Sequence, residues 1–186
     1  YRGLGQGMFE DATGACGLKE PTYGPLSWGT ALADLDSDGD LDLVVLNGHI
    51  YPQVDRHPEH GQKYAQRNLL LENREGKFAD VTDSAGPGFQ LVQPSRGLAA
   101  GNHDSDGDLD LLVTNLDGPP VLLRNESRSG AWLAVVCEDE RGPLSRIGTQ
   151  VTVTAGGRKM TRDVAAGDSY MSTHDPRLHF GLGEAR

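Results

Sequence analysis

Two stretches of the chain place oxygen-bearing side chains at a spacing suited to a hard cation. In the first, Asp34, Asp36, Asp38 and Asp42 stand at positions one, three, five and nine of a loop with Gly39 at position six. In the second, Asn102, Asp104, Asp106 and Asp110 take the same positions around Gly107. Calcium takes about six to eight oxygens at about 2.3–2.6 Å, and a tightly turning chain with oxygens at alternate residues can wrap it. Glycine at position six supplies a positive φ, and position seven, Asp40 or Asp108, is expected to contribute its backbone carbonyl. The expected outcome is two calcium sites, Asp34 to Asp42 and Asn102 to Asp110. Four carboxylates held ~5 Å apart repel by a few kcal/mol per pair at an effective dielectric near 20, so a folded loop without a cation is strained. A lone Asp-Gly-Asp reads as a solvated acidic turn; the same pattern met twice at corresponding places reads as metal binding. The loops are not EF-hands, because their flanks are apolar β runs and position twelve is Val45 or Val113 instead of Glu. Magnesium is disfavoured by its strict octahedral geometry and retained waters. Asn102 removes one negative charge, so the second site is expected to bind more weakly.

The elements that must hold these loops form an internal repeat. Gly29 to Leu43 matches Gly97 to Leu111 at an offset of 68 residues, and Gly7 to Thr13 matches Gly76 to Thr82 at an offset of 69. Each unit is predicted to contain a short strand around Phe9 or Phe78, then a small-residue strand entering the loop. Apolar strands, Leu41 to Leu46 and Leu109 to Thr114, leave it. Asn68 to Asn73 and its counterpart Pro119 to Asn125 add a further strand. Roughly four strands per repeat is the plan of a propeller blade or a similar radial array. Small residues at alternate positions, Gly29, Ala31 and Ala33 or Gly97, Ala99 and Gly101, are expected to let neighbouring backbones approach closely.

A different module follows, over residues 131–186. Trp132 to Val136 is an apolar strand, and Val151 to Thr154 alternates before a Gly156-Gly157 hairpin turn that returns through Lys159 to Val164. A last strand alternates Leu178, Phe180 and Leu182 with His179, Gly181 and Gly183. The composition agrees with an all-β reading, with 25 Gly, 10 Pro and 37% hydrophobic residues. A formal charge of −10 opposes a nucleic-acid backbone or an anionic membrane and favours cations. No run approaches the ~18 apolar residues of a membrane span. The chain opens on Tyr1, and the expectation is a piece of something longer.

Other constellations are weaker. His57-Pro58-Glu59-His60 resembles a metal pair, but Pro58 prevents the helical i, i+4 geometry and the sequence offers no evident third ligand. His49 follows the first loop and reads as a turn histidine or as the lining of a cleft, and His103 is expected to point outward. Asn125-Glu126-Ser127 fits the N-glycosylation pattern. Cys16 and Cys137 lie in different modules and need not pair. Ser95-Arg96-Gly97 and Asp168-Ser169-Tyr170 show no base nearby in sequence, and neither a phosphate loop nor a dinucleotide fingerprint occurs. No catalytic residue is assigned.

The loops Asp34 to Asp42 and Asn102 to Asp110 resemble the FG-GAP or VCBS repeat of integrin-type β-propellers. Ile147 to Gly157, with Gly167-Asp168-Ser169-Tyr170-Met171-Ser172 and His179-Phe180-Gly181-Leu182-Gly183, is similar to the ASPIC/UnbV module. In this order the two resemble the cartilage acidic protein family and its bacterial relatives. The resemblance implies two propeller repeats over residues 1–126 and an ASPIC/UnbV-like module over 131–186. It also implies a calcium-binding, non-enzymatic extracellular or periplasmic protein with a role in adhesion or matrix contact. From this follows an expected scaffold that binds a protein or glycan partner, with no nucleic acid and no membrane insertion. Alternatives are the accessory or substrate-binding part of a secreted polysaccharide-acting enzyme, and a subunit of a surface or filament assembly.

Overall fold

The computed structural model describes residues 1–127, 130–138, 140 and 146–185. Among them the fold is all-β, with a single short helix, Lys19–Tyr23, and three 3-10 turns. The chain opens on a hairpin of β1 (Arg2–Gly5) and β2 (Met8–Glu10). The first large sheet takes β3 (Ser27–Ala33), β4 (Asp42–Asn47), β6 (Leu69–Arg74) and β7 (Lys77–Asp80) in that order, each pair antiparallel. A two-residue pair, β5 (Gln66–Arg67) with β8 (Val92–Gln93), bridges to the second sheet. That sheet contains β9 (Ser95–Gly101), β10 (Asp110–Asn115) and β11 (Val121–Leu123).

The two sheets repeat each other in register as well as in sequence. Both acidic loops connect the first strand of a sheet to its second, and the position-nine aspartate lies opposite the last residue of the incoming strand. The pairs are Ala33 with Asp42 and Gly101 with Asp110. The strand around Phe78 closes the first sheet instead of opening the second unit. Its two-residue turn explains this: Glu75 at φ 55° and Gly76 at φ 83° fold β7 straight back onto β6.

The sheets stack with unlike faces together. Ala31, Ala33, Val44 and Leu46 of the first sheet meet Leu98, Ala100, Leu111 and Val113 of the second, with Phe89 between. The 68-residue offset makes Leu98 the counterpart of Thr30, and Leu111 and Val113 the counterparts of Leu43 and Val45. Those residues lie on the opposite face of the first sheet, where Val45, Leu69 and Leu71 form a separate cluster with Leu18, Leu43 and Phe78. Because side chains alternate along a strand, such stacking is the product of successive, similarly oriented sheets instead of a two-fold sandwich. Gly29 allows the close approach: a Cβ there would lie 2.6 Å from the Arg96 carbonyl oxygen.

The C-terminal module pairs β12 (Ala131–Val135) with β15 (Leu178–Gly183), and β13 (Gln150–Ala155) with β14 (Arg158–Asp163) through the Gly156-Gly157 turn. Its own core gathers Met160, Val164, Leu178 and Phe180, with Val151 and Val153 packed against them. Between β14 and β15 the chain runs back along the unpaired edges of β3 and β9. Ser169 Oγ accepts from Thr30 N, Ser172 Oγ bonds both the N–H and the carbonyl of Leu98, and Asp175 N donates to the Ala100 carbonyl. Exposed strand edges carry backbone groups that need partners, and this strap supplies them.

Leu98 is fully buried where the two sheets meet. Leu98→Ala is expected to destabilise the chain by about 2–5 kcal/mol, measured as a lower urea midpoint; a change under about 1 kcal/mol would show that the sheets do not rely on this contact.

Candidate metal centre

Asp34 sits at the end of β3 with a residue exposure of 1%. Its Oδ2 accepts hydrogen bonds from Gly39 N at 3.0 Å, across the loop, and from Gly181 N at 2.9 Å, on β15. Its Oδ1 is buried and has no hydrogen-bond partner among the described residues. An unpaired buried carboxylate oxygen is costly unless something positive meets it. Ligand oxygens of Asp34, Asp36 and Asp38 lie within 4.8 Å of one another. The loop is wound by left-handed residues at Ser37 (φ 58°) and Gly39 (φ 92°), and the second loop repeats this at Ser105 (φ 64°) and Gly107 (φ 111°). The donor set is all oxygen, so a hard cation fits it. Asp40 turns its carboxylate outward to Arg158, which leaves its backbone carbonyl as the group it can offer.

Position nine plays a second part in both loops. Asp42 accepts from Leu35 N through Oδ2 and from Asn73 N through Oδ1. Asp110 accepts from His103 N and Asn125 N in the same way. Asp42 thereby ties the first loop to β6, and Asp110 ties the second to the chain two residues after β11; Asp42 lies outside the Asp34–Asp36–Asp38 group.

The second loop differs in its neighbours. Asn102 Oδ1, like Asp34 Oδ1, is buried and has no hydrogen-bond partner among the described residues. Asp104, however, meets the Arg124 guanidinium at 2.9 Å, and Asp106 lies 3.9 Å from the same group. Arg124 precedes the bolting Asn125 as Glu72 precedes Asn73, so the two loops carry opposite charges at equivalent places. Asp108 is buried, with its N–H donated to Asp106 Oδ1. The sequence shows the Glu72/Arg124 contrast once the Leu70-Leu71 and Leu122-Leu123 runs are aligned; nothing in it shows that these residues face the loops.

Burial governs the titration of the first loop. Desolvation pushes the Asp34 carboxyl up from 3.8 to about 6, against the opposing pull of the Gly181 and Gly39 N–H groups. It pushes Asp42 up from 3.8 to about 7 and raises Asp36, whose neighbour Asp38 adds repulsion.

The remaining expectations resolve as follows. In the His57-Pro58-Glu59-His60 segment the structure brings ligand-type atoms of His57, Glu59 and His60 within 4.8 Å of one another. All three side chains are more than half exposed, and Glu59 Oε1 is held by His57 Nδ1 at 2.9 Å. His49 lines the same cleft as Tyr51, His57 and His60, and His103 is exposed. Asn125 Nδ2 donates to the Leu35 carbonyl at 2.7 Å. Cys16 and Cys137 are free thiols. Arg96 is a structural cation, buried over Trp28 at 4.3 Å and donating to the Gly48, His49 and Ser95 carbonyls.

Residues 140–186 match the family model described as ASPIC and UnbV. Across nearly its whole length, 99%, the chain is 26% identical to cartilage acidic protein 1 of Homo sapiens, and at 98% coverage it is 26% identical to the Mus musculus protein of that name. The chain spans 35% of the length of each of these relatives. The ASPIC and UnbV match covers the strands that meet the first acidic loop, β14 and β15.

Two outcomes are expected. The raised Asp34 and Asp42 carboxyls bind more protons in the fold than in the unfolded chain between about pH 4 and pH 7, so metal-free stability falls as pH rises through that window. Chelator-treated protein should therefore melt lower at pH 7.5 than at pH 4.5, with a smaller drop in Asp34→Asn; equal drops would remove Asp34 from the cause. For the second loop, Arg124→Glu is expected to tighten calcium there about tenfold or more by restoring the charge that Glu72 gives the first, and an unchanged second-site affinity in titration calorimetry would count against that role.

Proposed function

We propose that this chain is a calcium-stabilised, non-catalytic scaffold, with the first acidic loop its principal metal site. The observation that carries the reading is the Asp34 Oδ1 atom, buried and without a partner beside two further carboxylates. In a protein interior such an oxygen is expected to meet a cation, and an all-oxygen cluster selects a hard one. The second loop, with Asn102 and Arg124, is the weaker site.

The two stacked sheets are read as adjacent blades of an FG-GAP or VCBS type propeller. Their unlike-face packing supports this, as does the β1–β2 hairpin. Its turn, Gln6 at φ 51° and Gly7 at φ 74°, repeats the Glu75–Gly76 turn of β6–β7, so the hairpin reads as the outer half of a further blade. No helix among the described residues is long and apolar enough to cross a membrane. The likeness to cartilage acidic protein 1 supports an extracellular or periplasmic setting, where calcium is plentiful and a moderate site suffices. There the scaffold would present its surface to a protein or glycan partner.

Calorimetric titration of calcium into chelator-stripped protein tests the reading. One stronger and one weaker event are expected, the stronger abolished by Asp36→Ala and the weaker by Asp104→Ala, with a raised melting temperature on saturation. Absence of heat and of thermal stabilisation at millimolar calcium would reduce both loops to acidic turns.

A further inference from the structure

The first loop is gripped from outside by the C-terminal module. Three consecutive carbonyls accept from it: Ser37 from Gly183 N at 3.0 Å, Asp38 from Arg158 Nη1 at 2.6 Å, and Gly39 from Arg162 Nη2 at 3.3 Å. The Asp34 carboxylate adds a fourth point, to Gly181 N at 2.9 Å. A Cβ at Gly181 would lie 2.4 Å from Ser37 Cα, so β15 touches the loop backbone directly. Arg162 is placed by the module's own core, its guanidinium 5.4 Å from the Phe180 ring centroid. On the second loop, Arg177 donates to the Asn102 carbonyl at 3.0 Å and His179 meets the Gly107 carbonyl at 2.9 Å.

Those three carbonyls point at the module only while the loop keeps its closed course, with left-handed Ser37 and Gly39. The same closed course gathers Asp34, Asp36 and Asp38. We propose that Arg158 and Arg162 are positioning residues of the first metal site: they hold the loop closed through its carbonyls, so that cation binding and docking of the C-terminal module strengthen each other. This rests on the calcium reading above. Two sites that select one conformation are coupled reciprocally, so a change that loosens docking must weaken the cation.

A plain electrostatic role predicts the opposite sign. If the arginines only neutralise an acidic loop, removing one leaves more negative charge and tightens calcium. Arg158 also pairs with Asp40, which permits a charge-balanced control: the double variant Arg158→Gln/Asp40→Asn loses the carbonyl contact while the net charge stays constant.

The test is calcium titration of the full chain by calorimetry, for wild type, Arg158→Gln, Arg162→Gln and the double variant, with hydrogen exchange of wild type with and without calcium. Coupling predicts a dissociation constant at the first loop raised about fivefold or more in all three variants, partial recovery in Arg158→Lys, and slower exchange at the Gly181 and Gly183 amides on adding calcium. Unchanged or tighter binding in the variants overturns the proposal. So does calcium that binds wild type without slowing exchange in β15, a result that needs no variant to fold and leaves the calcium reading standing. No binding heat in wild type overturns the calcium reading and this proposal with it.

Discussion

Much of this structure hangs on the carboxylate of Asp34. It closes its own loop through Gly39 N, joins the C-terminal module through Gly181 N, and keeps one oxygen buried without a partner. An ion so placed faces a desolvation cost of burial that two backbone N–H groups and the Arg162 charge only partly offset, which pushes its carboxyl up to about 6. A divalent cation bound there would remove that conflict by giving the free oxygen a partner and the neighbouring carboxylates a common centre. The loop is thus both a candidate ligand site and the floor on which a second module rests.

Repetition makes the divergence between the loops informative. Both are wound alike, both carry a position-one oxygen with no hydrogen-bond partner among the described residues, and both are tied at position nine to the backbone N–H of an asparagine, Asn73 in β6 and Asn125 two residues after β11. Against that constant frame the variable residues stand out. The first loop faces Glu72 and is covered by β14 and β15, so Ser37 is buried; the second faces Arg124, and Ser105 is exposed. One backbone design therefore serves two settings, which differ in nearby charge and in how the C-terminal module covers the loop.

The stacking of sheets and the strap along their edges answer the same physical demand. A strand at the edge of a sheet leaves alternate N–H and carbonyl groups without partners. β3 and β9 are such edges, and Ser169, Ser172 and Asp175 cover them with side-chain and backbone bonds. The hydroxyls of two serines do here what another strand would do in a continuous sheet.

The sequence by itself determined the local pieces. Alternate acidic residues around Gly39 and Gly107 specify a tightly wound acidic loop, because side-chain spacing and positive φ are properties of a few adjacent residues. Gly156-Gly157 specifies a hairpin for the same reason, and β13 and β14 pair as their alternation requires. The 68-residue period made the two sheets legible, although not the closing place of the Phe78 strand, since both phases give the same repeat. Only the tertiary structure decided what lies 90 or more residues away in the chain: that Gly181 meets Asp34, that Arg158 and Arg162 reach the loop carbonyls, and that Asn125 reaches the Leu35 carbonyl. Backbone carbonyls carry no mark in sequence, so contacts made to them cannot be read from residue types. They exist only once the fold has chosen which surfaces meet.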